Sequence, residues 1–261
     1  MNKEIITILI PCHNEEQGIA KVLDDIPHHL LDKYGLEARV VVIDNNSSDR
    51  TAEVAQSKGA TVIFEPVKGK GNAIRKGFDY IDSNTAYVVM LDGDNTYDPR
   101  EMLRLLELIT SDFCDVVVGS RLGGKITKNA LKAQNRLANW IYTFLVRCFY
   151  FANVTDVLSG YFAWRGDVIL EMRDHLQSNG FSIEMEMITK LVKLKYSIYS
   201  VPITYKAREG ETKISPFKDG LHILSTFLRN LSWSPPKETI SKTKLALLNR
   251  TEERETADIL V

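Results

Sequence analysis

Asp92-Gly93-Asp94 places two carboxylates one residue apart. Their hard oxygens suit Mg²⁺ or Mn²⁺, and a hard divalent ion in turn suits a diphosphate. Alternate residues of an extended chain project to one side, so both carboxylates can reach one ion if the backbone stays extended. Just before them, Val88–Leu91 is an apolar run that reads as a buried strand. Just after them, Asp98-Pro99-Arg100-Glu101 reads as a helix start, with an Asp cap, Pro at the first helical position and Glu three residues past the cap. The pair therefore falls at the carboxyl end of a strand, the edge where open α/β sheets bind ligands. A lone Asp-x-Asp reads more simply as a polar turn whose carboxylates cap backbone groups, so the rest of the chain has to decide.

The elements around this loop repeat one pattern. Ile5–Ile10 is a central strand, and Asn14 with Gln17 opens a helix striped by Ile19, Val22, Leu23 and Ile26 and ended by Pro27. Arg39–Ile43 is the next strand and ends at Asp44. A helix through Thr51–Lys58 stops at Gly59, and Thr61–Phe64 is a third strand. Helices striped by Ile74, Phe78 and Ile81 and by Met102, Leu105, Leu106 and Ile109 flank the Tyr87–Leu91 strand, and Asp115–Gly119 is a fifth. Strands alternating with helices predict an α/β fold, a doubly wound, mostly parallel sheet flanked by helices. Pro11, Asp44, Glu65 and Asp92 then end strands on one edge. Neither glycine fingerprint of nucleotide binding is present: Pro11–Glu16 holds no glycine, Ile74 takes the third glycine position after Gly69 and Gly71, and there is no G-x-x-x-x-G-K-[ST] loop.

The chain has 261 residues, 44% hydrophobic and 26% charged, with a net charge of −1. That length supports one sizeable core, and the charge gives no case for nucleic-acid binding. Cys12, Cys114 and Cys148 are odd in number and widely spaced, as expected in a reducing compartment rather than in a disulfide framework or zinc site. Ile5–Ile10 is too short for a signal peptide, and no apolar stretch reaches the roughly 18 residues of a transmembrane span.

Seven segments, taken in order, resemble the motifs of family 2 glycosyltransferases with a GT-A fold: Ile10–Glu16, Val42–Asp49, Lys68–Ala73, Asp92–Asp94, Gly119–Arg121, Ser159–Phe162 and Val201–Lys213. The pattern is most similar to the dolichol-phosphate mannosyl- and glucosyltransferase type, and spans about residues 5–233. It implies inverting transfer of a sugar from a UDP- or GDP-linked donor to a polyprenyl phosphate, aided by Mg²⁺ or Mn²⁺ at Asp94 with Asp92. It implies acceptor-phosphate contacts at Arg121 and Arg136, and a closing loop carrying Arg208 and Lys213 over the donor diphosphate. It also implies donor binding by Pro11, Asn14, Glu15, Asp44, Gly71, Asn72, Asp92, Gly93 and Glu186, Asn14 doubling as a helix cap. Glu184, two residues from Glu186, would face elsewhere. The chain departs from the pattern at Thr96, where relatives often carry Gln, and at Asn45-Asn46, where many carry Asp-Gly. A phosphate monoester has a second pKa of about 6 and is already an anionic nucleophile near neutrality. A soluble hydroxyl acceptor, the alternative within enzymes, would instead need a base, with Asp156 or Glu186 as candidates, and a non-catalytic sugar-nucleotide-binding protein is the alternative from another class.

A lipid acceptor needs an apolar surface. Leu137–Phe151 is the most aromatic stretch, and Phe217, Leu221, Leu224, Leu228 and Leu231 recur at helical spacing, with Phe227 and Trp233 beside them. Such helices can lie in a membrane interface or simply cover the sheet, and periodicity does not decide. The expected organisation is a glycosyltransferase domain over 1–236, including an interfacial amphipathic helix over 217–233, followed by a tail over 237–261. The expected location is peripheral, at the cytoplasmic membrane face.

Overall fold

A computed structural model describes residues 3–209 and 215–236. Seven strands form one sheet: β1 (Glu4–Cys12), β2 (Leu36–Asp44), β3 (Thr61–Phe64), β4 (Thr85–Met90), β5 (Val116–Ile126), β6 (Phe162–Arg165) and β7 (Ile198–Tyr205). Nine α-helices accompany them among the described residues: α1 (Glu16–Asp24), α2 (His28–Lys33), α3 (Thr51–Ser57), α4 (Lys70–Asp79), α5 (Met102–Thr110), α6 (Ala133–Tyr150), α7 (Gly166–Met172), α8 (Ile183–Lys193) and α9 (Pro216–Ser232). The strand order is β3-β2-β1-β4-β6-β5-β7.

The first four strands are all parallel, as the alternation of strands and helices predicts. Cys12 pairs with Asp44 and Asp44 with Phe64, so their carboxyl ends form one level edge. β6 then enters antiparallel between β4 and β5, and β7 closes the sheet parallel to β5. The seven-residue spread of β5 beyond Gly119 also exceeds the expected strand, because Lys125 and Ile126 resume pairing with Thr204 and Tyr205 after an irregularity.

Strand alternation sorts the apolar residues into two cores. Leu9, Val88 and Met90 face α4, α7 and α8, whereas Ile8, Ile10, Val89 and Leu91 face α1 and α5. Asp98 caps its helical turn as expected, accepting from Arg100 N. Asn14 does not cap α1. It adopts φ 52°, and its Oδ1 accepts from Ser48 N at 2.7 Å, so it ties two loops together instead. Ile26 is buried as expected but lies beyond the end of α1.

α6 and α9 pack side by side. Tyr142 Oη donates to Gly220 O at 2.9 Å and Tyr150 Oη to Phe227 O at 2.7 Å. Ile223, Phe227 and Asn230 turn inward, while the Phe217, Leu221, Leu224, Leu228 and Leu231 stripe turns outward. On α6, Asn139, Thr143 and Val146 are buried while Leu137, Trp140, Ile141 and Phe144 are exposed. The apolar stripe therefore does not cover the sheet. Among the described residues no helix is long and apolar enough to cross a membrane.

Candidate active site

The carboxyl edge of β1, β2 and β4 opens into a cleft of about 230 Å³. Pro11, Glu15, Asp92, Gly93, Asp94 and Arg208, all expected site residues, line it together. His13, Lys70 and Phe181, which the sequence did not mark, line it too, as does Asn45, marked only as a departure from the family pattern.

Asp94 Oδ1 accepts from Thr96 N at 3.1 Å and Thr96 Oγ1 at 2.6 Å. Thr96 is fully buried, so it orients Asp94 rather than offering an oxygen to a metal. Asp94 Oδ2 lies 3.1 Å from Arg208 Nη1, and Arg208 Nη2 also donates to Glu15. Burial, then the nearby Asp92 charge, raise the Asp94 pKa above the ordinary carboxylate range, against the pull of Arg208 and Thr96.

Asp92 Oδ1 lies 2.7 Å from Lys70 Nζ, which is also 2.8 Å from Glu184 Oε1. Burial acts to lower the Lys70 pKa, but the two carboxylates outweigh it and raise it, so this lysine stays charged. Lys70 stands at the first position of α4, between Gly69 and Gly71. A Cβ at Gly71 would collide with Ser178 O, so the close approach of the 178–180 loop requires glycine there. Asn72 turns back on its own loop, donating to Lys68 O, and Asp44 Oδ1 accepts from Ser47 N. Asn14, Asp44, Gly71 and Asn72 thus shape the loops around the cleft. Asn45 does so more directly, accepting from Gly69 N and donating to Val67 O, both at 2.7 Å.

The two glutamates of α8 exchange the places expected for them. Glu184 faces Lys70, which lines the cleft. Glu186 is fully buried on the other side, 2.6 Å from Lys190 Nζ, and its Oε2 accepts from the Gln177 and Ser178 N–H groups. Burial would raise the Glu186 pKa, but those contacts hold it low. The helix begins at Ile183, and a two-residue step turns about 200° around it, which separates the two side chains.

Arg121 is buried beside the cleft. Its Nε and Nη2 each lie 2.8 Å from Asp156, Nη2 also donates to Leu158 O at 2.5 Å, and Asn139 Nδ2 adds a 2.6 Å bond to Asp156. Burial opposes the Asp156 charge, but Arg121 and Asn139 outweigh it and hold its pKa low. Ser159–Phe162 joins this cluster to the cleft: Ser159 Oγ donates to Gly119 O, Gly160 N donates to Tyr97 Oη, and a Cβ at Gly160 would stand 2.5 Å from Asp92 Oδ2. Arg136 is exposed near the start of α6, and Lys213 lies outside the described residues.

Asp92 and Asp94 fit a divalent ion as a partial ligand set. They supply two hard carboxylate oxygens close enough that the Asp92 charge adds to burial in raising the Asp94 pKa. Among the described residues no three His, Cys, Asp or Glu side chains converge as a metal cage. The remaining ligands would be diphosphate oxygens and water, as suits a Mg²⁺-type ion.

The profile described as glycosyl transferase family 2 matches residues 7–173. The chain belongs to this family. It is a glycosyltransferase, and the resemblance read in its motifs is correct. It is 33% identical over 236 residues to "Glycosyltransferase AglJ" of Haloferax volcanii, covering 89% of this chain and 74% of that one. It is 33% identical over 220 residues to a dolichyl-phosphate hexose transferase of the same organism, covering 84% and 90%. Among solved structures it is similar to Mycobacterium tuberculosis glucosyl-3-phosphoglycerate synthase in complex with UDP. The TM-score is 0.67 at 20% identity, over 90% of this chain and 82% of that one. That likeness shows the GT-A fold.

Proposed function

We propose that this glycosyltransferase moves a hexose, with inversion, from a nucleoside diphosphate sugar to a polyprenyl phosphate at a membrane surface, with Mg²⁺ or Mn²⁺ in the cleft. The observation that carries the reading is the presence of two unlike surfaces on one domain: a carboxylate- and cation-lined cleft at the sheet edge, and an uncovered apolar face on α6 and α9. Names among the relatives support it. They include the dolichyl-phosphate hexose transferase, an undecaprenyl-phosphate mannosyltransferase of Micrococcus luteus and a dolichol-phosphate mannosyltransferase of Pyrococcus furiosus. A solved complex of the M. tuberculosis synthase with Mn²⁺, UDP and glucosyl-3-phosphoglycerate supports the donor and metal.

The divalent ion would supply electrostatic stabilisation of the departing nucleoside diphosphate. The protein's part is to aim Asp94, which Thr96 does by holding Oδ1 and leaving Oδ2 toward the cleft. Arg208, now on Oδ2 and Glu15, is the cation placed to turn to the donor diphosphate. Pro11, Glu15 and Asn45 line the nucleoside side. An anionic phosphate acceptor needs no base. The surroundings of Asp156 and Glu186 support this reading, since both are buried and ion-paired rather than open to a hydroxyl acceptor.

Purified protein, a panel of radiolabelled UDP- and GDP-sugars, Mn²⁺ and a short-chain polyprenyl phosphate test the proposal together. Label entering the organic phase is the expected result. Donor hydrolysis with no lipid labelling overturns the acceptor, and no binding of any donor overturns the donor class.

A further inference from the structure

The two cleft carboxylates are not equivalent. Asp94 is held by Arg208, which belongs to the loop after β7 and is itself shared with Glu15. Asp92 is held by Lys70, which is rooted in α4, is 15% exposed, and is gripped from behind by Glu184, 5% exposed on α8. A loop arginine can leave its partner by a local backbone change. A lysine wedged between two carboxylates on rigid elements has no comparable alternative position.

Charge defines what this does. Of the charged side chains lining the cleft among the described residues, Asp92, Asp94 and Glu15 are carboxylates and Lys70 and Arg208 are the cations they hold. A bare diphosphate entering there meets cations that carboxylates already hold. A bare divalent ion meets two carboxylates that already carry cations. A diphosphate bringing its own divalent ion would avoid both penalties: Asp94 would hold the ion, and Arg208 would be freed for the phosphates.

We propose that Lys70, braced by Glu184, is a resident counter-ion of Asp92 that makes metal capture depend on the donor diphosphate, so that ion and nucleotide bind together. Lys70 is then a positioning residue. It keeps Asp92 from joining Asp94 in a free-metal site and holds its carboxylate aimed at the cleft. This deepens the proposed function and rests on its metal-assisted cleft.

Mn²⁺ binding followed by electron paramagnetic resonance, with and without UDP or GDP, tests it without any turnover. Wild-type protein should bind Mn²⁺ weakly alone and more tightly with the nucleotide. Lys70→Met should raise nucleotide-free Mn²⁺ affinity about tenfold, within the 5–150-fold range of typical site coupling, and shrink the nucleotide's effect. A gain in affinity is a change that mere structural damage does not produce. Lys70→Arg, which keeps the charge, should behave as wild type. Glu184→Gln should act oppositely to Lys70→Met, because Lys70 then serves Asp92 alone, and it carries the test by itself if Lys70→Met does not fold. Equal Mn²⁺ affinity in wild type and a folded Lys70→Met, or unchanged affinity in Glu184→Gln, overturns the role of Lys70. Failure of every variant to bind Mn²⁺ even with nucleotide overturns the metal reading itself.

Discussion

The cleft and the α6–α9 face solve opposite problems. In the cleft and beside it the principal charges meet countercharges on other elements: Asp92 with Lys70 and Asp94 with Arg208 inside, Asp156 with Arg121 beside it. On the helical face, Trp140 and Phe144 stack on each other and, like Leu221 and Leu228, stay exposed. Charges on a sheet edge can be neutralised internally and then exchanged for a ligand's charges. Apolar surface cannot be neutralised from within a fold already packed on both sides, and a contiguous patch left outside marks a contact surface. The polar site is therefore built from long-range pairs, and the apolar one from the sequence of two helices.

The most severe way to break the polar half is to remove one member of its deepest pair. Asp156→Asn leaves Arg121 buried without its countercharge and should cost about 3–5 kcal/mol of stability at neutral pH. The acid dependence follows from the low pKa of Asp156 in the fold. Its stabilising charge is complete above the ordinary carboxylate value of about 4 and is lost as pH falls below it. Wild-type stability should decline on acidification through that range, and the variant should lack this part of the decline. Urea denaturation at pH 7 and pH 3 measures both, and equal stability of the two proteins at pH 7 would remove the pair from the account.

Asp94→Asn acts on the reaction rather than on the fold. Loss of one electrostatic contact to the departing group typically costs about 100- to 1,000-fold in turnover. The radiolabel transfer assay should show that loss with the melting temperature kept. Full transfer by this variant would detach Asp94 from the metal. Glu186→Gln sharpens the distinction within α8. It weakens charge-assisted bonds from Gln177, Ser178 and Lys190, so stability should fall by about 1.5–3 kcal/mol, while the donor KM should hold, because Glu186 does not line the cleft. A large rise in donor KM without loss of stability would return Glu186 to the donor site.

Much of this was legible in the residues. Uninterrupted runs such as Ile5–Ile10 declare buried strands, and Asp98-Pro99 declares a helix start, because both signals are local. β6 was not legible: four residues, Phe162–Arg165, carry too little periodicity to reveal an antiparallel strand between β4 and β5. Lys70 was hidden because its partners lie 22 and 114 positions away. Its one signal was a cation framed by Gly69 and Gly71 where a helix starts at the ligand edge. Glu184 and Glu186 were exchanged because a helix phase needs a fixed starting residue, and Ile183 as that start follows from tertiary packing. The stripe on α9 was legible as a stripe, but not its outward direction, which depends on Ile223 and Phe227 filling the core.

The apolar half yields to a gentler substitution. Leu228 is exposed at the middle of the α9 stripe, with Phe227 beside it packed inward, so Leu228→Glu changes the face without entering the core. Full burial of a leucine side chain contributes about 1.5–3 kcal/mol. An interfacial helix immerses it only in part, so about 1 kcal/mol, or roughly fivefold in partitioning, is expected from one position. Flotation with anionic liposomes should show that drop, with nucleotide binding in the cleft unchanged. Trp140→Glu on α6 should add to it, since the two residues sit on different helices of one surface. If neither substitution alters flotation, or if the parent protein never floats, the outward stripe serves a contact other than a lipid surface. The difference between the two regions would then lie in their construction alone.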